Sequence, residues 1–226
     1  MIRIIENILA LGVTLILCVS CSSAQERIIE KPIVFNEERI ELTLDYLSSR
    51  YDLSQKEPTI EPKMIVLHWT VYPTLEQSFE AFKEPFLPNY RPDIKDISGL
   101  NVSAHFIVDR DGTIYRLMPE RYMARHVIGL NHCAIGIENV GGTDQNPLTG
   151  DQLASNIWLV HYLADKYPIE YLIGHYEYTN FESHELWLEK DDNYRTEKED
   201  PGEDFMNNVR VATSKYNFKP IPKKID

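Results

Sequence analysis

Four consecutive apolar residues, Met64 to Leu67, constrain this chain more than any other feature. A half-buried strand alternates apolar and polar positions, whereas an unbroken short run asks for a strand covered on both faces. Cys133 to Ile137 and Tyr171 to Ile173 have the same character. Helical patterns alternate with these runs. Asn36 caps a helix through Tyr51 with a rough stripe of Ile40, Leu42, Leu44, Leu47 and Tyr51. Thr74 caps a short one carrying Leu75, Phe79 and Phe82. The clearest helix opens at Thr149 or Asp151, presents Leu153, Ile157, Val160, Leu163 and Ala164 on one side, and stops at Pro168. Val102 to Asp109 and Ile114 to Met118 read as a hairpin about Asp111-Gly112, and a last helix runs from Glu203 to Tyr216. No repeat is visible. The expectation is an α/β fold: a single domain over residues 36–218, with a central mixed β-sheet flanked by helices.

The ends are read differently. Ile8 to Val19 is apolar apart from Gly12 and Thr14, follows Arg3, and precedes Ser20-Cys21-Ser22-Ser23-Ala24. That is too short for a comfortable membrane span and has the shape of a secretory signal over residues 1–24. Val19-Ser20-Cys21 resembles a lipoprotein processing site that leaves Cys21 acylated, although Cys18 stands where leucine is usual; ordinary cleavage after Ala24 is the alternative. Either implies export, to the periplasm or, with a lipidated Cys21, to the outer membrane. Residues 25–35 read as an extended linker and 219–226 as a C-terminal tail. Removing the leader leaves Cys133 alone, so no internal disulfide is available and a small core residue is the simplest reading of it. A formal charge of −12 argues against nucleic acid as a partner. A monomer is the expectation, while the oligomeric state itself is not readable, since no exposed apolar helix face stands out.

Chemistry concentrates where the apolar runs end. His68 follows Met64–Leu67, His175 stands just past the apolar run Tyr171 to Ile173 in a strand read as Ile169 to Gly174, and Asp200 precedes Pro201-Gly202. Two imidazoles and a carboxylate are the ligand types of a catalytic zinc with one position left open. Each has an ordinary alternative: a histidine at a strand end is more often a hydrogen-bonded structural residue, Glu138 by itself would be a strand-end charge, and Lys198 between Glu197 and Glu199 a solvated side chain.

The order of short motifs resembles the zinc-dependent type 2 N-acetylmuramoyl-L-alanine amidases, a family that takes in peptidoglycan recognition proteins and phage lysozyme-amidases. The matching pieces are Ile65-Val66-Leu67-His68, Val102 through Gly112, Ala124-Arg125-His126, Ile135-Gly136-Ile137-Glu138, Ile173-Gly174-His175 and Lys198 through Gly202. The resemblance implies an amidase or peptidoglycan-recognition-protein-like fold, with Zn2+ held by His68, His175 and Asp200. It implies Glu138 as the acid/base that takes a proton from the attacking water and returns it to the leaving nitrogen, and Lys198 as the cation facing the oxyanion. His126, Trp69 and Arg125 fall at the substrate cleft, and His105 is read as a structural strand histidine. Phage members carry a tyrosine where this chain has Ala104, which favours the glutamate arrangement. The stretch Phe181 to Arg195 is longer than in minimal members, and its aromatic residues could stack on sugar or pack on the core.

The function implied is hydrolysis of the amide between the lactyl group of N-acetylmuramic acid and L-alanine, in peptidoglycan or its muropeptides, during wall turnover. The alternatives are a non-catalytic muropeptide-binding protein of the same fold and a zinc amidase for another amide.

Overall fold

The structure is a computed structural model that describes residues 27–89, 94 and 97–223. The stretch expected to be a leader, including Cys18 and Cys21, lies outside the described residues. Among the described residues no helix is long and apolar enough to cross a membrane.

Six strands form one mixed sheet: β1 (Ile28–Glu30), β2 (Met64–Trp69), β3 (Phe106–Val108), β4 (Ile114–Arg116), β5 (Ala134–Asn139) and β6 (Tyr171–Gly174), in the spatial order β1-β4-β3-β5-β2-β6. β3 and β4 pair antiparallel through the Asp111-Gly112 turn, and every other pairing is parallel. The helices are α1 (Glu37–Tyr51), α2 (Leu75–Lys83), α3 (Gly150–Lys166) and α4 (Glu203–Ala212), with a 3-10 helix at His175–Phe181.

Both faces of β2, β5 and β6 are covered, which is the reason their sequences do not alternate. Ile65, Leu67, Ile135, Ile137 and Leu172 pack on one side with Leu159, Val160 and Leu163 of α3 and Met206 and Val209 of α4. Met64, Val66, Ala134, Tyr171 and Ile173 pack on the other with Val127, Leu130, Tyr178, Phe181 and Tyr194. Cys133 belongs to this second cluster, and burial pushes its thiol up to about 12, so it remains an uncharged core residue.

Three expectations change. The stretch taken as an extended linker carries β1, whose residues pair with β4 and continue through Lys31 N–H to Arg116 O and Ile33 N–H to Leu117 O. The first hairpin is shorter than its sequence suggested, because Val102 to His105 runs outside the ladder. α1 starts from the Asn36 cap as expected and buries Leu47 and Tyr51 of the expected stripe, with Arg39, Thr43 and Tyr46 in place of Ile40, Leu42 and Leu44. The Arg39 guanidinium donates to the carbonyls of Val34, Phe82 and Glu84, closing the C-terminal end of α2. Similarly, α3 opens with a Thr149–Gln152 capping box and turns Gln152 and Asn156 inward. Gln152 donates to the carbonyls of Val108 and Val140, and Asn156 donates to the Asn139 side chain.

Candidate metal and catalytic site

β5, β2 and β6 lie side by side in parallel, with Met64 in register with both Ala134 and Tyr171. Further along, His68 pairs with Glu138, and His175 follows Gly174, the partner of Leu67. Side chains alternate along a strand, so Glu138, His68 and His175 share the face of Met64, Val66 and Ile173. The row stands at the carboxyl ends of the parallel strands, where open α/β sheets place their ligands.

His68 Nδ1 and His175 Nδ1 lie 2.9 Å apart, and Asp200 Oδ2 is 3.2 Å from the first and 3.0 Å from the second. All three residues are buried. Asp200 reaches them from the turn before α4, which Tyr176 N–H ties down by donating to Asp200 O. Burial lowers the His175 pKa to about 4, against the opposing pull of Asp200, so the ring is neutral near pH 7. Burial opposes the charge on Asp200, but His175 and His68 outweigh it and hold the carboxyl well below the usual carboxylate range. Two imidazole nitrogens and an anionic oxygen therefore face one point. Tetrahedral zinc with bonds of about 2.0–2.1 Å separates its ligands by about 3.3 Å, close to the triangle found here, so the donor set fits that ion in type and spacing.

Beneath this row, β5 carries Ala134 and Gly136. A Cβ on Gly136 would lie 2.8 Å from the ring of His126, so the missing side chain is what admits that imidazole. His126 Nδ1 lies 3.0 Å from His68 Nε2, and His126 Nε2 lies 3.2 Å from Ala134 O. Burial, reinforced by His68 and His105, holds the His126 pKa well below the ordinary value. Asn131 Oδ1 accepts from the backbone N–H groups of His126 and Val127, both at 2.8 Å, while its amide donates to the Tyr51 hydroxyl. His105 fills the next place, accepting from Gly136 N–H and facing Tyr122 O.

A cleft of about 870 Å³ opens over the three donors. Glu138, Lys198, Trp69, Arg125 and His126 all line it. Glu138 is buried and Lys198 partly exposed, close enough for its charge to act on His175. The Lys198 segment is held by Tyr178, whose hydroxyl donates to Thr196 O and accepts from Thr196 N–H, each at 2.8 Å. Trp69 lies against Gly142, whose φ of +97° and missing Cβ leave room for the indole. Arg125 is 2% exposed, and its guanidinium donates to the carbonyls of Ser98, Leu100 and Ile94 and to the Tyr194 hydroxyl. It therefore ties Ile94, which lines the cleft, to Ser98 and Leu100. The stretch after His175 packs inward: Tyr178, Phe181, Leu186 and Tyr194 are buried, and Trp187 stacks on Tyr178 with Arg195 over its ring. Asn131 carries no functional signal in the sequence, and Gly136, although inside the Ile135–Glu138 motif, gives no sign there of the slot it leaves, since an asparagine before a strand and a glycine within one have many ordinary uses.

The model of the family described as N-acetylmuramoyl-L-alanine amidase matches residues 58–203. The endolysin of Enterobacteria phage K11 is 32% identical over 88 residues, covering 37% of this chain and 58% of that protein. The endolysin of Escherichia phage T7 is 35% identical over the same length, with the same coverage of 37% and 58%. The chain thus spans 58% of the length of the curated relatives it matches. Among solved structures, the amidase LysC from Clostridium intestinale URNW superposes with a TM-score of 0.51 at 24% identity, covering 85% of this chain and 98% of its own, a likeness of fold.

Proposed function

This chain belongs to the N-acetylmuramoyl-L-alanine amidase family, and from that premise we propose that it is a zinc-dependent peptidoglycan amidase. It cuts the bond between the N-acetylmuramic acid lactyl group and the L-alanine of the stem peptide. The observation that carries this reading is the meeting of His68 Nδ1, His175 Nδ1 and Asp200 Oδ2 within 3.2 Å of one another, under a cleft that Glu138 and Lys198 also line.

His68, His175 and Asp200 would hold the ion, which supplies Lewis acidity toward the scissile carbonyl and an acidified attacking water. Glu138, one strand from His68, accepts the proton of the attacking water and returns it to the leaving nitrogen. Lys198 sets its positive charge toward the oxygen that becomes anionic, where preorganised charge lowers the barrier most. Trp69 and Ile94, the latter held by Arg125, line the cleft in which the glycan and peptide lie. Retention of all three donors favours this reading over a muropeptide-binding protein without chemistry. The apolar run Ile8 to Val19 and Cys21 support an exported, lipid-anchored enzyme acting in wall turnover.

The test is mass spectrometry of products from intact sacculi and from soluble anhydro-muropeptides, with zinc-loaded wild type and Glu138→Gln. Wild type is expected to release peptides with a free L-alanine amino terminus. Glu138→Gln should turn over at least about 10²-fold more slowly while still binding zinc. Zinc-loaded wild type that binds muropeptides and releases no such peptide would establish the binding-protein reading instead.

A further inference from the structure

A chain of hydrogen bonds under His68 has a direction that can be read from one end. Ala134 O is a carbonyl and can only accept, so His126 Nε2, 3.2 Å away, carries the proton of that contact. A neutral imidazole has one N–H, which leaves His126 Nδ1 bare and able only to accept. The atom facing it at 3.0 Å is His68 Nε2, which must then be the donor. With its Nε2–H committed to His126, His68 turns Nδ1 toward His175 and Asp200 Oδ2, and the Asp200 carboxylate, which can also only accept, takes an Nδ1 proton until an ion displaces it. Both ring nitrogens of His126 are thereby engaged inside the protein.

We propose that His126 is a positioning residue: anchored on the Ala134 carbonyl, it selects the Nε2–H tautomer of His68 and fixes the ring so that Nδ1 faces the metal. This rests on His68 being a ligand, and it moves His126 from the substrate-contacting role its motif implies to the support of the site. The surrounding structure is built for it. Asn131 Oδ1 pins the backbone of His126 and Val127, and is itself held against the Tyr51 hydroxyl. Gly136 leaves the slot the ring fills, with a ring atom 2.8 Å from where a Cβ would stand. A histidine that served merely as filler would need neither a bare nitrogen toward His68 nor a carbonyl at its far end.

Two measurements on the full chain test this. Nitrogen-15 NMR of the imidazoles in the wild type reads the protons directly, with His126 expected as Nε2–H with or without zinc and His68 as Nε2–H in the zinc-loaded protein. Chelator competition then measures zinc affinity for wild type, His126→Leu and His126→Asn. Leucine cannot accept from His68, and affinity is expected to fall about 10- to 100-fold. Asparagine places an acceptor oxygen where Nδ1 stood, and should stay within about threefold of wild type. A proton on His126 Nδ1, or none on His68 Nε2 in the zinc-loaded wild type, overturns the proposal, as does equal affinity of the Leu and Asn variants. Should His126→Leu fail to fold, the wild-type tautomers and the asparagine variant still decide. A wild type that shows both Nε2–H protons yet binds no zinc supports the hydrogen-bond chain and defeats the metal reading, so the two failures are distinguishable.

Discussion

His105 shows what burial does to a titratable residue in this core. Its ring accepts from Gly136 N–H, and desolvation lowers its pKa to about 4, although the Tyr122 carbonyl and Glu120 pull upward. His175 and His132 are also lowered to about 4, chiefly by burial. A histidine whose folded pKa lies below its unfolded value of about 6.5 takes up a proton more readily in the unfolded chain. Stability from these residues is therefore complete above about pH 6.5 and is lost as pH falls toward about 4. Asp200 acts in a lower window: its depressed carboxyl contributes stability above about pH 3.9, lost as the pH falls below it. The urea midpoint of the metal-free protein should fall steadily from pH 7 to 4, and His105→Gln should remove about 3 kcal/mol of that dependence. An identical pH slope in wild type and variant would show that His105 does not titrate in this way. At this scale the ligands were legible because strand-terminal histidines and an Asp-Pro-Gly carboxylate are local signals. The support of His68 was not, because Ala134, Gly136 and Asn131 act by what they leave open or hold, which no residue type announces.

Element by element, the sequence predicted best where burial and periodicity coincide. β2, β5 and β6 are covered on both faces, so their apolar runs could be read directly. β1 could not, since Ile28 alone of its three residues is buried and its place depends on backbone bonds to β4. The inward faces of α1 and α3 were read only in part: Leu47, Tyr51, Val160 and Leu163 are buried as expected, but Arg39, Gln152 and Asn156 also point inward to satisfy backbone or strand-end groups, and hydrophobic patterning does not register a polar side chain that works there. The stretch after His175 left sugar stacking and core packing open, and its geometry favours packing. Trp187 stacks on Tyr178 with ring centroids 6.1 Å apart, under Arg195, and its indole N–H donates to Glu189 O. Trp187→Ala should accordingly cost about 2–4 kcal/mol in chemical denaturation and leave KM for a soluble muropeptide unchanged. A raised KM at unchanged stability would return this ring to the substrate.

Across the whole molecule, the donors come from places far apart in the chain: the end of β2, the residue after β6, and the turn before α4. The order of the motifs was readable, yet their meeting depends on β5, β2 and β6 being neighbours, a fact of topology that no local stretch contains. An unfolded chain cannot hold His68, His175 and Asp200 together, so an ion bound there stabilises the folded state by mass action, by about 4 kcal/mol when free zinc is a thousandfold above Kd. For a chain of 226 residues that corresponds to a rise in Tm of about 8–16 °C between chelator-treated and zinc-loaded protein. Proton competition sets the range of pH over which the rise holds. His175 is neutral down to about pH 4, and Asp200 remains ionised below the ordinary carboxylate range, so neither ligand resists the ion near pH 7. Differential scanning calorimetry of wild type and Asp200→Ala, each with zinc and with chelator, isolates the contribution. The zinc-dependent rise should shrink to less than about a quarter in the variant, because one of three donors and the only formal negative charge among them are gone. An equal rise in both proteins would mean that the ion stabilises this fold from somewhere else.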